Sequence, residues 1–281
     1  MKQCGASYEA DLHTHTTASD GELTPAELTR RAAGRGVRVL AVTDHDTLSG
    51  LPAAAAAAAA AGIEFWPGVE INTSWRGREI HVLGYLPELF DPLLEKRLAD
   101  TRAKRFERLG KIVAKLNSLG INIRLEDVRQ EVTGATPGRP HVARALCRGG
   151  HAADIDDAFR RWLNRDAPAF VPRYPLTPEE AVAWIREAGG LPVIAHPGDA
   201  ALTAAEIAQW KPCGLRGLEA RHPHHNNDQT AKYLRWADQL GLLRAGGSDF
   251  HGPKTRPDIE PGCCGLTLAE AATLRRELSG N

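Results

Sequence analysis

The sequence predicts an α/β protein, a parallel sheet or barrel built from strand–loop–helix units and interrupted by a helical insertion. Three observations predict it. Short apolar, β-branched runs alternate with helical stretches on both flanks of the chain. Several helix starts carry an N-cap residue followed by proline and then glutamate. Between residues 87 and 172 the alternation gives way to one long amphipathic helix and shorter helical pieces. With 281 residues, 42% of them apolar, the chain can bury one barrel core and carry an insertion as well.

The elements follow in order. Residues 8–12 are a short extended segment running into His13-Thr14-His15. Thr24, Pro25 and Glu27 supply an N-cap, an N1 proline and the capping-box partner, and Gly36 can close that helix in a left-handed conformation. Residues 37–43 read as a buried strand ending at Asp44-His45-Asp46. Residues 49–62 repeat the unit, with Pro52 near the start, an alanine run of high helix propensity and a closing Gly62. Residues 63–71 and 79–85 add extended segments carrying Glu70 and His81.

Residues 91–119 predict a single long helix with Leu94, Leu98, Phe106, Leu109, Ile112, Val113 and Leu116 on one face. Its other face is basic: Lys96, Arg97, Arg102, Lys104, Arg105, Arg108, Lys111 and Lys115. Solvation and pairing with Glu95 and Glu107 account for the lysines. Helical pieces at 140–147 and 154–163 follow. The alternation returns with Thr177, Pro178 and Glu180 opening a helix, a strand at 191–195 ending in His196-Pro197, a strand at 217–220 carrying Glu219 and leading to His222, and a strand at 242–246 leading to Ser248-Asp249-Phe250-His251. The barrel is expected over 1–86 and 173–281, and the helical insertion over 87–172.

Lys+Arg and Asp+Glu both total 35, so no global charge draws the chain to nucleic acid or membrane, and any polyanion site must be a local patch. The first ten residues lack the apolar core of a secretory signal, and the alanine run at 53–61 is too short to span a bilayer. Five scattered cysteines (Cys4, Cys147, Cys213, Cys263, Cys264), odd in number and without CxxC spacing, read as reduced thiols of a cytoplasmic protein. Adjacent Cys263 and Cys264 read as packing residues, since neighbouring side chains seldom converge on one ion.

Histidine is the informative residue. His13, His15, Asp20, His45, Glu70, His81, His196, Asp249 and His251 recur where predicted strands end, and in barrels those ends carry the active-site loops. His-x-His on an extended segment puts both imidazoles on one side, because side chains alternate with period two. These nine candidates exceed the roughly four to six positions that one ion offers, so a bridged multinuclear centre is the economical reading. Mixed imidazole and carboxylate ligands favour Zn, Mn or Fe over Mg alone. His151 and His224 read as ordinary loop histidines. No P-loop or GxSxG elbow competes.

Asp11-Leu12-His13-Thr14-His15, Ser19-Asp20-Gly21 and Thr43-Asp44-His45-Asp46 resemble the opening motifs of the PHP (polymerase and histidinol phosphatase) superfamily. Gly68-Val69-Glu70, residues 80–85 around His81, Ile194-Ala195-His196-Pro197 and Gly247-Ser248-Asp249-Phe250-His251 resemble its later motifs, in order. The resemblance implies a distorted (β/α)7 barrel holding two or three divalent ions, most often Mn2+, with Fe2+, Zn2+ or Mg2+ as alternatives. It places His13, His15, Glu70 and Asp249 on a first ion, with Glu70 bridging to a second completed by His81 and His196. Asp20, His45 and His251 would hold a third. Asp20 stands where several members have histidine, and a harder ligand there favours Mn or Mg over Zn.

Arg102 to Arg108 and Gly138-Arg139-Pro140-His141 resemble members acting on nucleotide 3′,5′-bisphosphates and on the 5′ ends of short RNA. Arg139 and His141 flank Pro140 at a predicted helix N-terminus, where free N–H groups and the helix dipole attract phosphate. Arg102, Arg139 and His141 are therefore the expected phosphate-binding residues. His222 is expected at the rim, contacting phosphate or protonating the leaving oxygen. The implied reaction is attack of metal-activated hydroxide on phosphorus, assisted by Glu70, Asp249 and His222, removing the 3′-phosphate of a nucleotide bisphosphate to leave a 5′-monophosphate. The variant reading is a 5′-3′ exoribonuclease on short 5′-phosphorylated RNA. An amidohydrolase-type C–N hydrolase and a non-catalytic nucleotide- or RNA-binding module are readings of other classes. No obligatory protein partner and no membrane association are expected.

Overall fold

A computed structural model describes residues 8–132, 137–172 and 176–280. Cys4 and the expected domain boundary at residue 173 fall outside these. The chain divides into two compact units, Met1–Lys96 with Pro175–Asn281, and Arg97–Tyr174.

The first unit begins with a two-residue strand β1 (Ala10–Asp11), helix α1 (Pro25–Gly34), β2 (Val39–Val42), α2 (Leu51–Ala61), β3 (Glu64–Trp75) and β4 (Arg78–Tyr85). The long helix α3 (Pro92–Ser118) leads out of it. The second unit continues with α4 (Leu125–Arg129), α5 (Arg139–Arg148), α6 (Ile155–Ala158) and a π-helical turn, Phe159–Leu163. Back in the first unit come α7 (Pro178–Glu187), β5 (Leu191–Ile194), α8 (Ala204–Ala208), β6 (Gly217–Arg221), α9 (Asn227–Leu240), β7 (Leu243–Gly246) and α10 (Leu268–Leu278).

Local chemistry sets the helix ends. Thr24 accepts from the Glu27 backbone N–H while the Glu27 carboxylate accepts from Thr24 N–H, and Thr177 with Glu180 does the same at α7. Each cap satisfies amides that the helix cannot and contributes about 1 kcal/mol. Gly62 closes α2 at φ 69°, in the left-handed region that a side chain disfavours.

The seven strands form one sheet in sequence order. β1, β2 and β3 are parallel, as are β5, β6 and β7, but β4 runs antiparallel to both of its neighbours. The reversal comes from a tight hairpin in which Arg76 and Gly77 both take positive φ, 48° and 77°, the twist that a two-residue hairpin turn demands. The far edges meet just beyond β1 and β7, where Asp249 N–H donates to His13 O (2.8 Å) and His15 N–H to Phe250 O (2.9 Å). The sheet is thereby the nearly closed, distorted seven-stranded barrel expected, and the reversal of β4, which the sequence did not indicate, departs from an all-parallel arrangement. Val39 and Ala41 point to one side and share a buried cluster with Trp66, Leu83, Tyr85 and Val193, while Leu40 points the other way toward Ala32, Ala58 and Ile63. That alternation separates barrel interior from helix-covered exterior.

The helical unit has its own core, with Leu109, Ile112, Leu116, Val128, Val142, Leu146 and Leu163 buried together. Arg108, read from the sequence as part of the solvent-facing basic surface, is buried and its Nε donates to Val171 O (2.8 Å). A guanidinium on an aliphatic stem can be buried where a main-chain carbonyl receives it, which helical periodicity does not reveal. Among the described residues no helix is long and apolar enough to cross a membrane.

Candidate metal centre

The strand ends near the closure deliver the site. His13 and His15 follow β1, and their side chains do share one side: the two Nε2 atoms are 3.1 Å apart and each lies 3.1 Å from Glu70 Oε2. Asp249, after β7, presents Oδ1 to His13 Nε2 (3.3 Å) and His15 Nε2 (3.1 Å). His45, after β2, puts Nδ1 3.1 Å from Glu70 Oε2. Glu70 Oε1 faces His81 Nδ1 at 2.8 Å and His196 Nε2 at 3.0 Å. Asp20 lies beside His45 Nε2 (3.7 Å), His251 Nε2 (3.5 Å) and His15 Nδ1 (3.8 Å).

All nine candidates therefore converge. Eight of them fall into three donor groups: His13, His15, Glu70 and Asp249; His45, Glu70 and His81; and His15, Asp20, His45 and His251. His196, expected with Glu70 and His81, enters none of these, and His45 stands with that pair instead. His15 and His45 each enter two groups, a sharing the sequence did not suggest. Glu70 and His81 do not sit at strand ends. They lie within β3 and β4, and His81 reaches the site because antiparallel β4 pairs it with Asn72, two residues past Glu70.

The backbone is strained here. Asp46, His196 and Asp249, none of them glycine, have φ of 50°, 20° and 50°. Hydrogen bonds hold them there: Asp46 N–H to Glu70 O (2.9 Å), His196 N–H to Glu219 Oε2 (2.8 Å) and Asp249 N–H to His13 O. Such conformations cost roughly 1–3 kcal/mol each and persist where the surroundings over-determine them.

Burial alone would push carboxylates up and imidazoles down. At Glu70 and Asp249 the surrounding imidazoles override it and hold both carboxyls well below the usual range; Asp20 is lowered to about 2, burial again being outweighed, by His45, His251 and His15. Against the same burial, Asp249 and Glu70 raise His15 to about 10, and Glu70 raises His81 to about 10. At His45 burial wins over Glu70 and Asp20, and its pKa falls to about 4. Protons on His15 and His81 thus balance carboxylate charge, and a divalent ion competes for the same nitrogens. The donor set suits such ions: anionic oxygens, converging imidazoles, and a buried His15 Nδ1 that has no hydrogen-bond partner. These groups can hold metal.

Other residues prepare the site. Asp11 Oδ1 accepts from Ser248 N–H (2.9 Å) and Oδ2 from Gly262 N–H (2.8 Å), tying β1 to the loop that carries Asp249. Asp44 accepts from Thr16 N–H (2.7 Å), Thr16 Oγ1 (2.6 Å) and Ser19 Oγ (2.6 Å), shaping the turn before Asp20. Arg256 Nη1 donates to Asp249 Oδ2 (2.8 Å). Asp11 and Asp44 sit inside the motifs that carry the histidines, so proximity in sequence could have drawn attention to them. Arg256 lies in a loop without periodicity and gave no signal.

His222, expected at the rim, is buried beside Asp249. His224 N–H donates to its Nδ1 (3.2 Å), which leaves the proton on Nε2 to be donated to Asp249 Oδ2 (3.2 Å). Burial lowers its pKa, against Asp249 and Glu219, and so favours the neutral imidazole. His225 is also buried, bonded through Nδ1 to Ala220 O (3.0 Å). Arg102, Arg139 and His141 lie in the helical unit. Arg139 Nη1 donates to Leu163 O (2.9 Å) and its guanidinium faces the Phe159 and Phe170 rings. His141 Nδ1 accepts from Gly138 N–H (3.0 Å) at the start of α5. Arg102 is half-buried on α3. Cys147, Cys213, Cys263 and Cys264 enter none of the three donor groups. Cys263→Ser combined with Cys264→Ser is expected to leave metal content unchanged by elemental analysis.

Barrel and site together define a β/α-barrel protein with a buried histidine–carboxylate cluster able to hold metal. The family model described as PHP domain matches residues 11–164, and the chain belongs to that family. It is 39% identical to a 3′,5′-nucleoside bisphosphate phosphatase of Chromobacterium violaceum over 248 residues, 86% of this chain and 87% of that one. It is 38% identical to a 5′-3′ exoribonuclease of Haemophilus influenzae over 247 residues, 86% of this chain and 90% of that one. Among solved structures, it resembles a Chromobacterium violaceum protein described as an amidohydrolase with bound sulfate and no metal (TM-score 0.81, 35% identity, 97% and 96% of the two chains). It also resembles a Bifidobacterium adolescentis protein described as a putative metal-dependent phosphoesterase (TM-score 0.82, 29% identity, 96% of both chains).

Proposed function

We propose that the chain is a metal-dependent phosphoesterase that removes the 3′-phosphate of nucleotide 3′,5′-bisphosphates and leaves nucleoside 5′-monophosphates. The observation that carries this reading is Glu70: one buried carboxylate whose Oε2 faces His13, His15 and His45 and whose Oε1 faces His81 and His196. Two oxygens each surrounded by imidazoles are what a carboxylate bridging two ions requires. The likeness to the Chromobacterium violaceum phosphatase supports the substrate.

In this reading His13, His15, Glu70 and Asp249 hold one ion, and Glu70, His81 and His196 a second. Asp20, His45 and His251 hold a third. Mn2+ is the favoured ion, because the set mixes hard carboxylates with imidazoles. Bound there, such ions lower the pKa of water and offset charge on phosphoryl oxygens. His222 acts as a neutral hydrogen-bond donor that, with Arg256, orients Asp249. Arg102, Arg139 and His141 hold the phosphate that is not cleaved; Arg139 is suited to this because Leu163 O and two aromatic rings fix its guanidinium beside the first turn of α5. Removing Arg139 as Arg139→Ala is expected to raise KM by about 10- to 100-fold, the worth of a charged hydrogen bond, with metal content as in wild type. Steady-state kinetics with elemental analysis reads both.

Likeness to the Haemophilus influenzae protein favours a second reading, removal of 5′ nucleotides from short RNA at the same centre. The C–N hydrolase reading usually calls for a bridging lysine on a mid-barrel strand, and none of the seven strands described carries a lysine. A cytoplasmic location accords with the thiols, and no protein partner is required. The test is to load metal-stripped protein with Mn2+ and assay adenosine 3′,5′-bisphosphate, AMP and a short 5′-phosphorylated RNA in parallel. Phosphate release from the bisphosphate alone supports the phosphatase. Mononucleotide release from RNA moves the reading to the exoribonuclease, and metal uptake without hydrolysis of any ester overturns both.

A further inference from the structure

Glu219 has no solvent exposure and lies in β6 between Leu218 and Ala220, which are equally buried. A carboxylate in such a place is costly unless both oxygens are satisfied, and a packing role would be filled better by an apolar side chain. Both oxygens are engaged. Oε1 lies 3.0 Å from His13 Nδ1, and Oε2 accepts from His196 N–H at 2.8 Å. Those two histidines follow different strands, β1 and β5. The Nε2 atom of each faces Glu70, at 3.1 Å for His13 and 3.0 Å for His196.

We propose that Glu219 is a positioning residue for ion binding. It holds the His13 proton on Nδ1 so that the Nε2 lone pair points at Glu70 and Asp249, and it anchors His196 at its positive φ. The other outer carboxylates are solvent-exposed by comparison: Glu79 lies 3.1 Å from His81 Nε2 and Asp199 3.4 Å from His196 Nδ1, with side chains 43% and 45% exposed. Glu219, unscreened by water, exerts the stronger orienting effect. One carboxylate thereby couples two histidines assigned to different ions. This inference rests on the metal-centre reading of the proposed function.

Glu219→Gln keeps shape and volume, but its amide has one acceptor for two donors, and its NH2 group opposes either His13 Nδ1–H or His196 N–H. In Mn2+ titrations of metal-stripped protein by calorimetry, the variant is expected to bind about 10- to 100-fold more weakly than wild type. In Zn2+-loaded protein the downfield proton resonance of His13 Nδ1–H, hydrogen-bonded to a carboxylate, is expected to move upfield. Turnover is expected to recover substantially when Mn2+ is raised in proportion. A folded variant with wild-type Mn2+ affinity and an unmoved Nδ1–H resonance overturns the inference and leaves the metal centre standing. Wild-type protein that takes up no divalent ion overturns the metal-centre reading itself. Should the glutamine variant fail to fold, Glu219→Asp, which keeps the charge but is one methylene too short to reach both partners, is expected to show the same weakened Mn2+ binding; wild-type affinity there overturns the inference equally.

Discussion

Glu70→Ala is expected to lower turnover by about 10³-fold or more and to reduce bound metal by more than one equivalent. The magnitude follows from the several kcal/mol that metal ions contribute to charge stabilisation in such reactions, each 1.4 kcal/mol being about tenfold. Loss of more than one ion follows from geometry, since five imidazoles from four segments face this single carboxylate. Removing it also leaves a buried group of imidazoles without their main counter-charge, so the remaining sites weaken through mutual repulsion. Elemental analysis of the purified variant beside a phosphate-release assay reads both effects. Full activity with a full complement of metal would refute the bridging role. Loss of one equivalent only would mean that Glu70 serves a single ion.

Gly247→Ala tests how the scaffold presents the same centre. A methyl group at residue 247 would stand 2.3 Å from His13 Cβ and 2.4 Å from His13 N, well inside van der Waals contact and against main-chain atoms. The segment leading to Asp249 would have to part from the segment carrying His13, at the point where the barrel edges meet. Overpacking of this kind costs about 3 kcal/mol. For a chain of this size the midpoint of thermal unfolding should fall by roughly 6–12 °C. Measuring it in the presence of a chelator separates the packing cost from lost ion binding. The folded variant is further expected to lose metal, because His13 and Asp249 belong to one donor group. An unchanged midpoint would mean that the two segments can separate without loss.

The two expectations probe one construction from opposite directions, the charge at its centre and the backbone contact beneath it. Glu219 and Asp11 belong to the second kind. Each is a buried carboxylate that satisfies main-chain N–H groups of a neighbouring segment, and each fixes the position of a histidine or of the loop after β7. A periodicity argument passes over both. The cue available in the sequence was a single charged residue within an otherwise apolar strand, as Glu219 is in 217–220.

The sequence by itself determined what is local or repeated: the capped helix starts at Thr24 and Thr177, the closing Gly62, the alternation of strand and helix, and the nine residues that converge. These are legible because caps, turns and side-chain alternation depend on neighbours within a few positions. The helix ends and strand cores accordingly fall within a few residues of expectation, as α2 and β7 do. Only the tertiary structure decided the direction of β4, the sharing of His15 and His45 between donor groups, the burial of Arg108 and of His222, and the contacts of Glu219 and Arg256. Each depends on which remote segment arrives beside a residue. That is settled by barrel closure and strand register, which pair residues as distant as His13 and Glu219, 206 positions apart, and which no single stretch of sequence encodes.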